Sequence, residues 1–253
     1  MKMVRPKISS GGTFEDNRDA QQAQVHAGNQ VPAGNSVPGM ESGHTGNRPI
    51  GIRDESRLHA MTRQKPYAWL LVATGFVAWL ASGALVLDRL ELYKNPNAVT
   101  SCDLNVWVSC GSVMKTHQAE IFGFPNPLIG VFAFAVVITT GMAMLAGARF
   151  GRSYWVGLQT GVTLGMAMIC WLWFQALYVI GILCPYCMVV WAMMIPLFIW
   201  TTVRNLQHGV IPAPPALTKF LADWAWTIVG LLYLAVIASI FFRFINLFIG
   251  GAG

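Results

Sequence analysis

The sequence predicts an all-α membrane protein with five transmembrane helices. Only 11% of its 253 residues are charged, whereas a soluble domain usually carries about 25%. Mean hydropathy is +0.50, and apolar runs long enough to cross a bilayer recur after residue 66. The net charge of +6 falls largely in the N-terminal segment and in short loops, and no basic patch is interleaved with aromatic residues. We therefore interpret it as charge that sets membrane orientation, not as a nucleic-acid footprint.

Residues 1–66 differ in composition from the rest of the chain. They are polar, rich in Gly, Asn and Gln, and contain few large apolar side chains. Such a segment buries too little apolar surface to offset the entropy of ordering, so we expect a disordered cytoplasmic tail. No apolar stretch follows Lys2 and Arg5, and no signal peptide is expected.

The first span is predicted at residues 67–87, a run of roughly 20 residues. Three basic residues precede it and place the tail in the cytoplasm and the following loop outside: Arg57, Arg63 and Lys65. That loop, residues 88–126, carries Cys102 and Cys110. Its part 112–124 mixes polar and apolar residues, and we expect a short amphipathic segment at the membrane interface.

The second span is predicted at 127–148, where Pro127 suits a first helical turn. Arg149 and Arg152 follow it, as expected for a cytoplasmic loop. The third span, 154–183, is long enough to tilt or to extend beyond the bilayer.

The fourth span opens at the turn formed by Cys184 and Cys187 and ends near residue 203, with Arg204 on the cytoplasmic side. A Pro-rich linker, 208–219, leads to a fifth span at 224–242, and Arg243 and the C-terminus then fall outside. This topology places both cysteine-bearing segments on the same outer face, although cysteines played no part in assigning it.

The segment Cys184-Pro185-Tyr186-Cys187 is a C-x-x-C motif that opens a helix. With Cys184 as N-cap and Pro185 in the first turn, the positive end of the helix favours a thiolate. A thiolate is the nucleophile of thiol–disulfide exchange. Cys102 and Cys110 lie in a polar loop and form a second pair, so the two pairs can pass electrons in series.

Such a relay needs an electron acceptor. No flavin or haem motif is visible, and a lipid-soluble quinone suits a membrane protein. Three other interpretations stay open: two structural disulfides in a non-enzymatic membrane scaffold, a zinc site, and a transporter, which the absence of central charges in the spans disfavours. The fifth cysteine, Cys170, lies in an apolar run and is interpreted as a small buried residue.

The chain resembles the vitamin K epoxide reductase (VKOR) family in its bacterial form. The resemblance covers about residues 67–203 and depends on three motifs in this order: Cys102-Asp103 through Ser109-Cys110, Phe124-Pro-Asn-Pro-Leu-Ile-Gly130, and Cys184-Pro-Tyr-Cys187. It implies a VKOR-like four-helix bundle around a quinone, with an outer cysteine loop at 88–126 and a short half-helix that caps the site.

The resemblance also implies roles for individual residues. Cys102 and Cys110 match the shuttle pair that exchanges with a thioredoxin-like partner, and Cys184 and Cys187 match the active pair, with Cys187 facing the quinone. Asn126 matches an asparagine that hydrogen-bonds a quinone oxygen; alternatively it is a helix cap before the following proline.

Two further positions are implied to contact the quinone. Thr116 falls where the family carries Ser or Thr, with a local backbone cap as the alternative. Trp191 replaces a tyrosine of the human-type enzyme. An indole N–H still donates a hydrogen bond, but from a different position. This departure weakens any link to vitamin K itself, and Trp191 is alternatively a packing aromatic.

We therefore interpret the chain as a quinone-dependent thiol–disulfide oxidoreductase that uses menaquinone or ubiquinone and supports disulfide bond formation. Many bacterial members carry a fused thioredoxin-like domain after the fifth helix. Because this chain stops at Gly253, we expect a separate DsbA-like partner on the outer side of a bacterial inner membrane. The expected organisation is a tail (1–66), a catalytic bundle (67–203), and a linker with the fifth helix (204–253).

Overall fold

The structure is a computed structural model that describes residues 59–249, with side chains described up to residue 245. Five of its helices are long and apolar enough to span a membrane, which confirms the predicted fold class. In chain order the α-helices are α1 (Gln64–Lys94), α2 (Cys110–Met114), α3 (Asn126–Leu145), α4 (Arg152–Phe174), α5 (Pro185–Gln207) and α6 (Pro215–Ile249). Short 3-10 turns occur at Ala60–Thr62 and His117–Glu120.

Helix α1 lies against both α3 and α5, and α5 also contacts α4 and α6. The contact between α1 and α3 is close because glycines on α3 face α1. A Cβ atom added at Gly141 would lie 2.8 Å from the Ala68 carbonyl oxygen, and one at Gly130 would lie 2.5 Å from Ser82 Oγ. Small residues let helix backbones approach in this way, which compensates for the weak hydrophobic drive between helices in lipid.

The end of the bundle far from the cysteines is closed by a buried polar cluster. Arg204 is only 8% exposed and stacks over the Trp155 ring at 3.3 Å. Its guanidinium donates to Asn205, while the Tyr67 hydroxyl donates to Thr201 at 2.9 Å. Stacking and hydrogen bonding offset the cost of burying this cation.

Helix α4 changes geometry before it reaches the cysteine end. It continues beyond Phe174 as a π-helical segment, Gln175–Ile180, which we include in the cysteine end of α4, and Gly181 then adopts a left-handed conformation with φ of 69°. That conformation favours glycine and stops the helix. The chain then turns directly into Leu183 and the start of α5.

Several boundaries differ from the sequence-based expectations. The described part of the expected tail, residues 59–66, contains a 3-10 turn and the start of α1, while residues 1–58 lie outside the described residues. Helix α6 begins at Pro215 inside the expected linker and is far longer than the apolar run 224–242. The expected amphipathic segment at 112–124 is divided between α2 and the second 3-10 turn.

Candidate active site

The cysteine loop between α1 and α3 contains a disulfide. Cys102 and Cys110 are bonded, with their Cα atoms 5.7 Å apart. Both residues are buried, Cys102 to 6% exposure and Cys110 completely. Cys110 is also the first residue of α2, whose N-cap is Ser109. The loop pair is therefore enclosed by its own chain.

Asp103 links the residues on either side of the disulfide within this loop. Its carboxylate accepts hydrogen bonds from the Ser109 hydroxyl at 2.6 Å, the Thr100 backbone N–H at 2.8 Å and the Gly111 backbone N–H at 3.0 Å. Partial burial raises the pKa of Asp103, but these hydrogen bonds outweigh it and hold the pKa at about 2. Sequence reasoning noted Asp103 only as part of a motif.

Cys184 is the N-cap of α5, as the motif predicts. Its sulfur accepts a hydrogen bond from the Cys187 backbone N–H at 3.4 Å, and Pro185 occupies the first turn. A hydrogen bond with the Cys187 thiol, supported by backbone N–H groups, lowers the pKa of Cys184 despite its burial. Both cysteines of this motif are free thiols. The N-cap position therefore favours a nucleophilic thiolate at Cys184.

A two-sided backbone pairing joins the loop to the chain segment before α5. Leu183 N–H donates to the Trp107 carbonyl at 2.9 Å, and Ser109 N–H donates to the Leu183 carbonyl at 3.0 Å. The pairing is parallel and is centred on Val108 and Leu183, so Cys184 directly follows Leu183 and Cys110 follows Ser109. Cys184 Sγ lies 3.2 Å from Cys110 Sγ. The structure thus brings the two predicted pairs together and identifies Cys110 as the loop cysteine next to Cys184.

A cavity of about 550 Å³ lies directly beneath these cysteines. Its walls are mostly apolar and come from α1, α3, α4 and α5, while the cysteine end is closed by residues 113–119. At that end it is lined by the predicted site residues Cys184, Cys187, Trp191, Asn126 and Thr116. Its volume is in the usual range for a small-molecule site, and an apolar pocket with a few polar groups at one end suits a quinone.

The polar residues of the cavity are partly engaged with the protein. The Asn126 amide donates to the Gln118 carbonyl at 2.7 Å and accepts from the Ile121 N–H at 3.3 Å. It is the first residue of α3, and the N-cap position of that helix is occupied by Pro125. Thr116 donates to the Val113 carbonyl at 2.7 Å, the local bond named as its alternative. Both residues therefore support the chain segment that covers the cavity.

Residues 110–120, which we call the cap segment, are held by a cluster that sequence reasoning missed. Arg89 donates to the Met114 carbonyl and forms an ion pair with Glu120. The Tyr93 hydroxyl donates to the same carboxylate, and its hydrogen bond, followed by that of Arg89, lowers the pKa of Glu120. The only sequence signal for this cluster was the opposite charge of Arg89 and Glu120, near the two ends of the loop. Such pairs are too common to indicate a specific contact.

Comparison with known proteins gives one family assignment. The family model described as the vitamin K epoxide reductase family matches residues 69–202, just over half of the chain. No curated protein matches the chain. The matched range contains all four cysteines of the site and helices α1 to α5 for most of their length, and it ends before α6.

Proposed function

The chain belongs to the vitamin K epoxide reductase family, and from that premise we propose that it is a membrane thiol–quinone oxidoreductase. Family membership supports thiol–disulfide oxidoreductase activity in a membrane. The finer proposal is that the protein reoxidises a separate DsbA-like, thioredoxin-fold partner and passes the electrons to menaquinone or ubiquinone. The observation that carries it is the 3.2 Å separation of Cys184 Sγ and Cys110 Sγ above an apolar cavity.

In the first step, a thiolate of the partner attacks the loop disulfide. Cys102 is the less buried member of that pair and is proposed as the attacked atom. The partner then forms a mixed disulfide with Cys102, and Cys110 leaves as a thiolate. A second partner thiol attacks the mixed disulfide, so the partner departs oxidised and the loop pair holds two electrons as thiols.

In the second step, the reduced loop pair reacts with the C-x-x-C pair in its disulfide form. The Cys110 thiolate attacks Cys184, and Cys187 leaves. Cys102 then attacks Cys110, which restores the loop disulfide and releases Cys184. The lowered pKa of Cys184 makes it a good leaving group in this last exchange. The described state, with a loop disulfide and two C-x-x-C thiols, corresponds to the product of this transfer.

A quinone bound in the cavity would supply the final acceptor of two electrons and two protons. Cys187 is the proposed contact to its ring because it lies on the cavity wall one turn into α5. Trp191 follows Cys187 by one further turn on the same wall and is proposed to donate its indole N–H. Asn126 retains one amide hydrogen after its bond to the cap segment, and Thr116 lies beside it.

Orientation is part of the proposal. We infer that the cysteine end faces the outside of a bacterial inner membrane and that the N-terminus is cytoplasmic. This is supported by the basic residues at the opposite end: Arg149, Arg152 and Arg204. A membrane-impermeant maleimide applied to intact cells should label Asn97→Cys, at an exposed position of the cysteine loop, in a variant that lacks the five native cysteines; labelling only after the cells are lysed would reverse the orientation.

The function is tested by replacing single cysteines. Purified protein is mixed with a reduced DsbA-like protein and a short-chain ubiquinone or menaquinone analogue, and quinone reduction is followed optically. Cys184→Ala and Cys187→Ala should each abolish quinone-dependent oxidation of the partner. Cys170→Ala is the matched control, because Cys170 is a free thiol on α4 that does not line the cavity. The expectation that Cys170 is buried was wrong, since its side chain is exposed on the surface of α4. If activity survives loss of Cys184 or Cys187, the relay is wrong.

A further inference from the structure

The C-terminal part of α6 contacts the structure that aligns the two cysteine pairs. Arg243 Nε donates to the Leu177 carbonyl at 2.8 Å, within the π-helical end of α4. Phe244 is 7% exposed and packs in a cluster with Leu177 and Leu183. None of these α6 residues lies in the range that matches the family model.

Phe244 reaches both sides of the backbone pairing described above. It packs with Leu183 on one side and meets the Trp107 ring edge-on at a centroid distance of 6.5 Å on the other. Cys184 directly follows Leu183, and Cys110 follows the paired segment that contains Trp107. One buried aromatic ring therefore lies against both paired segments, each of which leads into one of the two cysteines that must meet.

We propose that the end of α6 positions the exchange between the loop pair and the C-x-x-C pair, with Phe244 and Arg243 as positioning residues. This inference rests on the proposed function. The cysteine loop is long, and only two backbone hydrogen bonds hold it against Leu183. A displacement of about 1 Å between reacting atoms can slow a reaction by up to about a hundredfold, so the α6 contacts matter for the rate.

The step that these contacts would position is the attack of the Cys110 thiolate on Cys184. The sulfur–sulfur bond to Cys184 forms as the bond from Cys184 to Cys187 breaks, and Cys187 takes the electron pair as a thiolate. No further oxidant takes part. The role of α6 is to keep Cys110 and Cys184 within reach, not to bind quinone or the partner.

The test isolates this pair of sulfurs. In full-length protein carrying Cys102→Ala and Cys187→Ala, only Cys110 and Cys184 remain at the site. Diamide is added as the oxidant, and formation of the Cys110–Cys184 disulfide is followed over time by peptide mass spectrometry. Adding Phe244→Ala should slow this bond formation about tenfold. Adding Phe242→Ala, which removes a 70% exposed ring from the same helix, should leave the rate unchanged.

A second readout separates positioning from general stability. In the otherwise unaltered enzyme, Phe244→Ala should lower kcat while KM for a short-chain quinone analogue stays constant, and Phe244→Leu should restore most of kcat. Arg243→Met removes a hydrogen bond without opening a cavity and should also slow bond formation, which keeps the test valid if Phe244→Ala folds poorly.

The inference is overturned if both α6 variants form the Cys110–Cys184 disulfide as fast as Phe242→Ala does, or if KM rises in proportion to the loss of kcat. Bond formation is measured without quinone or partner. If it depends on Phe244 while the parent protein fails to reduce quinone, the proposed function is wrong and the positioning role stands.

Discussion

Asp103→Asn is the substitution that tests most directly how the cysteine loop is held. The Asp103 carboxylate links Thr100, two residues before Cys102, to Ser109 and Gly111, on either side of Cys110. An amide of the same size keeps one acceptor oxygen but loses the charge and replaces the other oxygen with a donor. That donor would face backbone N–H groups that need an acceptor.

The expected cost follows from the number and exposure of these bonds. A hydrogen bond to a charged group contributes about 1.5–3 kcal/mol, and at least one of the three is lost. Asp103 is partly exposed, so solvent screening reduces the value. We expect a net loss of about 1.5 kcal/mol in the local stability of the loop, or about tenfold in its opening equilibrium.

Hydrogen–deuterium exchange measures this opening at the Thr100 and Gly111 amides, both of which are buried in the folded loop. Asp103→Asn should lower their protection about tenfold. Asp88→Asn is the matched control, since the Asp88 carboxylate accepts an exposed bond from Ser101, and it should change protection by less than about twofold. Equal protection in the Asp103→Asn and parent proteins would refute the reasoning.

The pH dependence gives an independent check. The pKa of Asp103 is lowered in the folded loop to about 2, so its stabilisation is fully present above the unfolded carboxyl pKa of about 4 and is lost as pH falls toward about 2. Loop protection in the parent protein should therefore decline in this window. In Asp103→Asn it should already be low and should show no such decline.

Three further substitutions address the packing, the thiolate and the cap. Gly141→Ala places a Cβ atom 2.8 Å from a backbone carbonyl of α1 and should lower the unfolding free energy by about 1–3 kcal/mol in detergent, whereas Gly83→Ala, with open space around it, should not. Cys187→Ala removes the thiol hydrogen bond that lowers the pKa of Cys184, so the pH midpoint for alkylation of Cys184 should rise; a constant midpoint would assign the effect to the helix terminus alone. Arg89→Gln removes the ion pair of the cap segment and should speed amide exchange there up to about fivefold, and unchanged exchange would show that the ion pair contributes nothing.

The long apolar runs were sufficient to predict the five spanning helices, because in lipid a chain must satisfy its backbone hydrogen bonds within each segment. The ends of the helices were less predictable. Helix α6 extends well past the predicted span 224–242, because the flanking residues 216–223 and 243–249 contain neither Gly nor Pro to interrupt a helix. The π-helical end of α4 has no distinct composition and was not predicted.

In the site, too, the features that could be predicted depend on neighbouring residues, and those that could not depend on residues distant in sequence. The N-cap position of Cys184 follows from neighbouring residues, so the motif predicted it. The pairing of Leu183 with Trp107 and Ser109 joins segments far apart in sequence, and no local pattern encodes it. Sequence reasoning therefore left open which loop cysteine meets Cys184, and a single backbone pairing assigns that role to Cys110.

The burial of the loop disulfide also determines which thiols can reduce it. Cys110 is fully enclosed and Cys102 nearly so, although both lie in a loop. A small thiol in solution meets little exposed sulfur, whereas a protein that can displace part of the loop gains access to it. Burial should therefore slow the reduction of this disulfide by small thiols. We expect fast reduction only by a protein that opens the loop when it binds. Unproductive reduction of the disulfide by small thiols is thereby limited.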